Sequence, residues 1–171
     1  LAPEDDGPWR ADVPTDKEIN AAIATRSKYA KGIAGANVVA LIDDEDREVR
    51  ITVADRLPLE QLERMAADPD YLVRAYVVQR VPVGRLFRFM RDADRQVRKL
   101  VAQRLPEESL GLMATDPEPE VRRIVASRMS GESVVPLLND EDWTVRLAAI
   151  ENAPLSALAA LADDADPEVR D

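Results

Sequence analysis

The chain has 171 residues, of which 4% are aromatic and 33% charged, and this composition favours several thin packing layers over one large core. A net charge of −10 argues against non-specific binding to nucleic acid or to an anionic membrane. Because the chain lacks Cys and His, disulfides, ordinary zinc sites and Ser-His-Asp or Cys-His catalysis are excluded. No apolar run is long enough to cross a bilayer and no leader pattern is visible, so we expect a cytoplasmic protein, although the sequence starts at Leu1 instead of Met.

The amino-terminal part of the chain differs from the rest. Residues 1–17, "LAPEDDGPWRADVPTDK", contain three prolines and five acids, which predicts an irregular or mobile acidic arm. The segment from Thr15 to Glu18 has the composition of a capping box and should open a helix that ends near Ala30. Residues 18–42 are then expected to form a capping helix and a degenerate first repeat, whose repeat positions are held by Arg26, Ala30, Ile33, Val38 and Leu41.

Residues 43–171 consist of a unit that recurs every 24 residues and begins with D-x-[DE]-x-x-V-R. The Val-Arg dipeptide starts at Val49, Val73, Val97, Val121, Val145 and Val169, without insertions. Two further positions recur: an arginine at Arg56, Arg80, Arg104 and Arg128, and a proline at Pro58, Pro82, Pro106 and Pro154. A fixed period of this length predicts a tandem array, in which the last copy is incomplete.

Each copy has the pattern of two short helices. The carboxylate three residues before each valine is suited to cap the amino end of the first helix. Apolar residues at i, i+4 and i+8, such as Val97, Val101 and Leu105, form one buried stripe, and the following proline ends the helix. The second helix buries a pair such as Leu110 and Met113. Helices this short are unstable alone in water, so stacking of neighbouring copies must stabilise an all-α fold.

The repeated unit resembles the leucine-rich repeat variant family over residues ~24 to 171, through D-x-D-x-x-V-R, V-A-x-R-L-P and L-x-x-[ML]-A-x-D. The resemblance implies a bacterial right-handed superhelical solenoid in which α-helices alternate with 3₁₀-helices. Family members can carry an amino-terminal iron–sulfur module held by cysteines, which this sequence lacks, so no cofactor is expected. The HEAT-like repeats of phycobilisome lyases also contain D-x-x-V-R, but with a longer period, and are the weaker match.

The Asp and Arg positions of the motif have two interpretations, a catalytic site and a structural scaffold. Catalysis needs one site whose groups have different environments, whereas this motif recurs in every copy. The acidic runs at 43–46, 139–142 and 163–166 lack the glycine and distal glutamate of a calcium loop, and no phosphate-binding glycine motif occurs. We therefore predict no catalytic, metal or cofactor site, and a structural ladder in which each arginine contacts acids of its own or the next copy. The ladder comprises Asp44, Asp68, Asp92, Asp116 and Asp140, with Arg50, Arg74, Arg98, Arg122 and Arg146.

Functional positions are sought where the copies differ, because a repeat protein binds through residues that its stack leaves free. From Arg80 to Arg104 there are eight basic residues and two acids, and from Asn139 to Asp171 nine acids and two bases. Arg85, Arg88 and Arg91, spaced by three, should share one face of a second helix, next to Phe87. Candidate partner-binding residues are Arg85, Phe87, Arg88, Arg91, Arg95 and Lys99, together with Tyr71 and Trp143, which share one variable position that either forms an exposed contact or packs against the adjacent turn.

Two functions follow from this basic region. The preferred one is a non-enzymatic scaffold for protein–protein interaction, whose partner carries an acidic segment. The alternative is a nucleic-acid or phosphate binder of the HEAT-like kind. A solvated face, or one covered by the acidic arm, also explains the pattern, whereas an enzyme of the lyase or glycosidase kind has the least support.

Overall fold

The computed structural model describes residues 24, 25, 28, 38–162 and 164–170. The acidic arm 1–17, the capping box Thr15 to Glu18, and Arg26, Ala30 and Ile33 of the degenerate repeat lie outside these residues. The chain divides into two compact units, Leu1–Met65 and Ala66–Asp171. Helices, turns and bends make up the regular structure of the described residues, and no strand occurs among them, which confirms the all-α prediction.

In the first unit, one complete helix pair follows a short 3₁₀ segment. The 3₁₀ helix Val39–Leu41 leads through a turn into α1 (Arg47–Arg56), α2 (Leu59–Leu62) and a 3₁₀ helix, Glu63–Met65. Its core is made of fully buried aliphatic side chains, namely Val38, Val49, Val53, Leu57 and Leu62.

In the second unit, α-helices alternate with 3₁₀ segments. The α-helices are α3 (Tyr71–Arg80), α4 (Arg95–Arg104), α5 (Glu107–Leu110), α6 (Pro119–Arg128), α7 (Trp143–Ile150), α8 (Leu155–Leu158) and α9 (Pro167–Arg170). The 3₁₀ segments are Val83–Phe89, Gly111–Met113, Gly131–Ser133, Val135–Asn139 and Ala159–Leu161. We call each copy a layer and name it after its first aspartate, as in the Asp92 layer. Within this unit, the first helices of consecutive layers pack against one another. The right-handed sense of the superhelix stays a prediction.

The first helix of a layer begins as the sequence predicts wherever the capping residue is aspartate. The Oδ1 atoms of Asp70, Asp94 and Asp142 each accept a hydrogen bond from the backbone amide two residues later. Glu118 occupies the same position without capping, so that prediction is wrong for this copy. Its longer side chain extends instead toward Arg95 of the preceding layer, at 3.6 Å.

A proline after the buried stripe separates the two helices of a layer. Leu105 ends α4 with a ψ of 143°, outside the helical range, and Pro106 occupies the amino-terminal cap position of α5. The Asp116 layer has Ser130 at the proline position, and Gly131 there adopts a positive φ of 59°. The second half of this layer consists of two 3₁₀ segments instead of an α-turn followed by one.

The core of each layer is thin and mostly aliphatic. Val97, Val101 and Leu105 are fully buried, as the stripe in the sequence predicts. Leu110 and Met113, the predicted pair of the second helix, are also buried, because residues three apart lie above one another in a 3₁₀ turn. The side of each first helix and of each 3₁₀ segment that faces away from this core is exposed. Residues that differ between copies lie there, such as Arg123 on α6 and Phe87 on the 3₁₀ helix Val83–Phe89.

Candidate functional site

The motif arginines join consecutive layers. Arg98 donates from Nε to Oδ2 of Asp116 at 2.8 Å and from Nη2 to Oδ1 at 3.1 Å, so the guanidinium meets the carboxylate at two points. Its Nη1 donates to the backbone carbonyl of Asp92 in its own layer, at 2.8 Å. Equivalent pairs are Arg74 with Asp92, Arg122 with Asp140, and Arg146 with Asp164. Each of these arginines therefore binds the aspartate carboxylate of the next layer, whereas its contact with its own layer is to a backbone carbonyl.

Hydrogen bonds favour the charged form of two aspartates in the ladder, Asp92 and Asp164. Burial opposes ionisation of Asp92, but hydrogen bonds from Arg74 and from the Asp94 amide lower the pKa of its carboxyl group. A hydrogen bond from Arg146 likewise lowers the pKa of Asp164. Each such aspartate also accepts from the amide two residues ahead, at 2.9 Å for Asp92. Groups with these partners stabilise the stack and offer neither a base near neutral pH nor an unpaired charge for a ligand.

A second set of contacts joins the layers at the carboxyl ends of their first helices. Arg128 donates from Nη1 to the carbonyls of Ala102 and Leu105 in the preceding layer, at 2.6 and 2.8 Å. Arg104 donates to the carbonyl of Val78, and Asn152 takes over the position in the following copy. The recurring arginine is visible in the sequence, but its hydrogen bonds to carbonyls of the preceding layer were not predicted. The sequence does contain a signal for these contacts, because the arginine recurs in the last turn of the first helix, where backbone carbonyl groups lack partners.

The predicted basic face lies on the 3₁₀ helix Val83–Phe89 and the turn after it. Three residues per turn align Arg85 with Arg88, and Arg91 follows in the same spacing beyond the helix end. Phe87 lies on the outer side with 44% of its surface exposed, and the guanidinium carbon of Arg88 is 5.6 Å from the centroid of the Phe89 ring. Within the described residues, Arg88 and Arg91 form no ion pair.

Carboxylates of the next layer neutralise the other two predicted cations. Lys99 donates to Oε2 of Glu120 at 2.8 Å, which lowers the pKa of that carboxyl group, and Arg95 lies 3.6 Å from Glu118. The charge count from Arg80 to Arg104 therefore overstates the basic character of this surface. Arg88 and Arg91 keep positive charges that form no ion pair among the described residues.

Tyr71 and Trp143 open α3 and α7, with 37% and 40% of their surfaces exposed. The Asp92 and Asp116 layers separate them in the array, so they are two separate exposed aromatic residues. The described residues contain no cluster of carboxylates suited to a metal ion. Among the described helices, none is long and apolar enough to span a membrane.

Comparisons with known proteins agree with the repeat geometry. The sequence profile described as leucine rich repeat variant matches residues 47–70 and 95–118. A solved structure described as a leucine-rich repeat variant with a novel repetitive protein structural motif is 65% identical, with a TM-score of 0.83, and the match covers 92% of this chain and 69% of that one. No curated protein matches the chain. The repeat period, the alternation of α and 3₁₀ helices and this similarity together show that the chain belongs to the leucine-rich repeat variant family.

Proposed function

We propose that this chain is a non-enzymatic repeat scaffold that binds an acidic segment of a partner protein through its basic–aromatic surface. That surface consists of Arg85, Phe87, Arg88 and Arg91, with Arg95 and Lys99 at its margin. The observation that carries the proposal is the exposed ring of Phe87 beside Arg88 and Arg91, which form no ion pair within the described residues.

The distribution of charge supports binding at this surface. The ladder arginines are bound to aspartates and backbone carbonyls, so their charges are used inside the stack. The cations at Arg88 and Arg91 belong to positions that change from copy to copy, with Arg64 and Leu112 in the column of Arg88 and Ala67 and Thr115 in the column of Arg91. A charged surface that the stack does not need is suited to steer an oppositely charged partner.

A protein partner is favoured over a nucleic acid by the apolar part of the surface. Phe87 is 44% exposed and Leu112 of the next layer 63%, and aromatic and apolar area of this kind is typical of the centre of protein–protein interfaces. Glu118 and Glu120 also place negative charges at the margin of the surface, beside Arg95 and Lys99, and these charges repel phosphate. Binding to nucleic acid is therefore the alternative that the experiment must test.

The test compares partner binding by the native chain with binding by an Arg88→Glu, Phe87→Ala double variant. Immobilised chain is incubated with extract of cells that express it, bound proteins are identified by mass spectrometry, and the affinity of the purified partner is then measured by calorimetry. The control is Arg123→Glu, which makes the same charge change at an exposed residue of α6. We expect the double variant to lose the partner and the control to keep it.

Equal binding by the double variant would refute a partner site at this surface. A parallel titration with a DNA duplex at increasing salt tests the alternative. Tight binding that weakens steeply with salt and depends on Arg88 would replace the protein-scaffold proposal with a nucleic-acid function.

A further inference from the structure

A groove lies at each of three successive boundaries between layers of the second unit. Each groove is bordered by the turn that opens one layer and by the turn that opens the next, with a ladder arginine (Arg74, Arg98 or Arg122) in its lining. Because the layers repeat, the three grooves share the ladder arginine and residues of the turns that open the layers. Differences between the grooves therefore come from the copy-specific residues.

The middle groove, between the Asp92 and Asp116 layers, combines an apolar wall with a cation. Its volume is about 440 Å³, and its apolar lining includes Met90, Leu112, Met113 and Pro117. Leu112 is 63% exposed, whereas Met113 is 2% exposed and closes the groove from the core side. Arg91 lies at the same groove, at an exposed position.

Arg91 is the cation of this groove that remains for a ligand. The other arginine in the lining, Arg98, binds Asp116 at two points and the carbonyls of Asp92 and Ala93. The Asp116 carboxylate accepts from Arg98 and from the Glu118 amide, so it too is occupied within the protein. Arg91 has no such partner among the described residues.

The next groove shows what the copy-specific residues change. Thr115 takes the position of Arg91 and Glu141 that of Pro117, whereas Pro136, which aligns with Leu112 in the sequence, does not line this groove. Glu141 accepts a hydrogen bond from Arg122 Nη2 at 3.2 Å and keeps 86% of its side chain exposed. This groove therefore carries excess negative charge and no leucine wall, although its backbone frame is the same.

We propose that the middle groove binds one acidic residue of the partner segment together with an apolar side chain next to it. The carboxylate meets the guanidinium of Arg91, whose planar fork suits two-point contact. The apolar side chain packs against Met90 and Leu112, which lose water-exposed area on binding, above the buried Met113. This inference rests on the proposed function and adds to it the chemical pattern that the partner must carry.

The experiment selects binders from a random dodecapeptide library displayed on phage, and measures affinities of the enriched peptides by fluorescence anisotropy. We expect enriched peptides that place Asp or Glu beside Leu, Ile, Met or Phe. Arg91→Glu and Leu112→Asp should each weaken binding by about tenfold or more. Arg123→Glu and Leu155→Asp make the same changes at exposed residues outside the groove and should leave the affinity unchanged. Thermal melts that match the native chain verify the fold of each variant.

The outcomes separate this inference from the proposed function. Peptides that bind both groove variants normally, but not the Arg88→Glu, Phe87→Ala variant, would overturn the groove assignment and leave the proposed function standing. Enrichment of basic peptides, or of no peptide above background, would overturn both. Competition by inorganic phosphate, with no effect of Leu112→Asp, would identify a phosphate site and overturn the inference.

Discussion

Arg98 and Asp116 form a largely buried ion pair across the boundary between two layers. The side chains are 10% and 4% accessible, and two hydrogen bonds of 2.8 and 3.1 Å join them. Removing one member leaves the other charge without its partner in a poorly solvated position, which is more costly than the loss of an exposed ion pair.

Arg98→Ala is therefore expected to lower the free energy of unfolding by about 3–5 kcal/mol. Chemical denaturation and thermal melts measure the change, with Arg123→Ala as the control for loss of an exposed arginine. An unchanged melting temperature would show that the ladder does not stabilise the stack.

Stability should decrease on the acid side of neutral. The pKa values of Asp92 and Asp164 lie below the ordinary value of 3.8 in the folded chain, because their arginine partners favour the carboxylate. The stabilisation is therefore complete above the unfolded pKa and is lost as the pH falls through the folded pKa. The melting temperature should be constant above about pH 5 and fall below about pH 4.

Asp92→Asn supplies the control for this pH dependence. The amide cannot ionise, so the variant should be less stable at neutral pH and should lose less stability on acidification than the native chain. An acid transition of unchanged depth in this variant would assign the effect to other groups.

The second set of interlayer contacts predicts a separate loss of stability. Arg128→Ala leaves the carbonyls of Ala102 and Leu105 without their donor, at an expected cost of about 1–3 kcal/mol in unfolding free energy. Gln103→Ala, an exposed change in the last turn of α4, is the control. Equal stabilities of the two variants would mean that solvent replaces the arginine without cost.

Two glycines are expected to respond to alanine in opposite directions. Gly131 has a φ of 59°, where a side chain is disfavoured, so Gly131→Ala should destabilise the chain by about 1 kcal/mol. Gly111 has a φ of −54° with open space at its Cβ position, so Gly111→Ala should stabilise the chain by about 0.4–1 kcal/mol. Denaturant titrations of both variants test the pair, and a shift of the same sign in both would contradict this assignment.

The fold was largely predictable because its determinants lie within one period. The stripe of Val97, Val101 and Leu105, the aspartate caps and the proline that divides the layer are local patterns, and each appears where the sequence places it. Glu118 was mispredicted as a cap because sequence chemistry alone does not distinguish its reach from that of aspartate. The positive φ of Gly131 accompanies the missing proline of that copy, a signal that was present in the sequence.

The candidate site was less predictable because it depends on neighbours in other layers. Glu120, which neutralises Lys99, lies 21 residues away and approaches it only after the layers have stacked. The acceptors of Arg128 are backbone carbonyls, which no residue type marks. Leu112 lies between the buried residues Leu110 and Met113 but is 63% exposed, and the signal for this is its column, which holds Arg64, Arg88 and Pro136 in other copies.

The ladder separates each arginine from its aspartate by 18 residues, within a repeat of 24. Deleting or duplicating one whole copy therefore brings an arginine opposite an aspartate again, at the same distance along the chain. Gene rearrangement within the array can thus change the number of layers without creating an unpaired ladder charge. Such an event also moves the layer that carries Phe87 and Arg91 to a new place in the stack, where the same ladder contacts hold it.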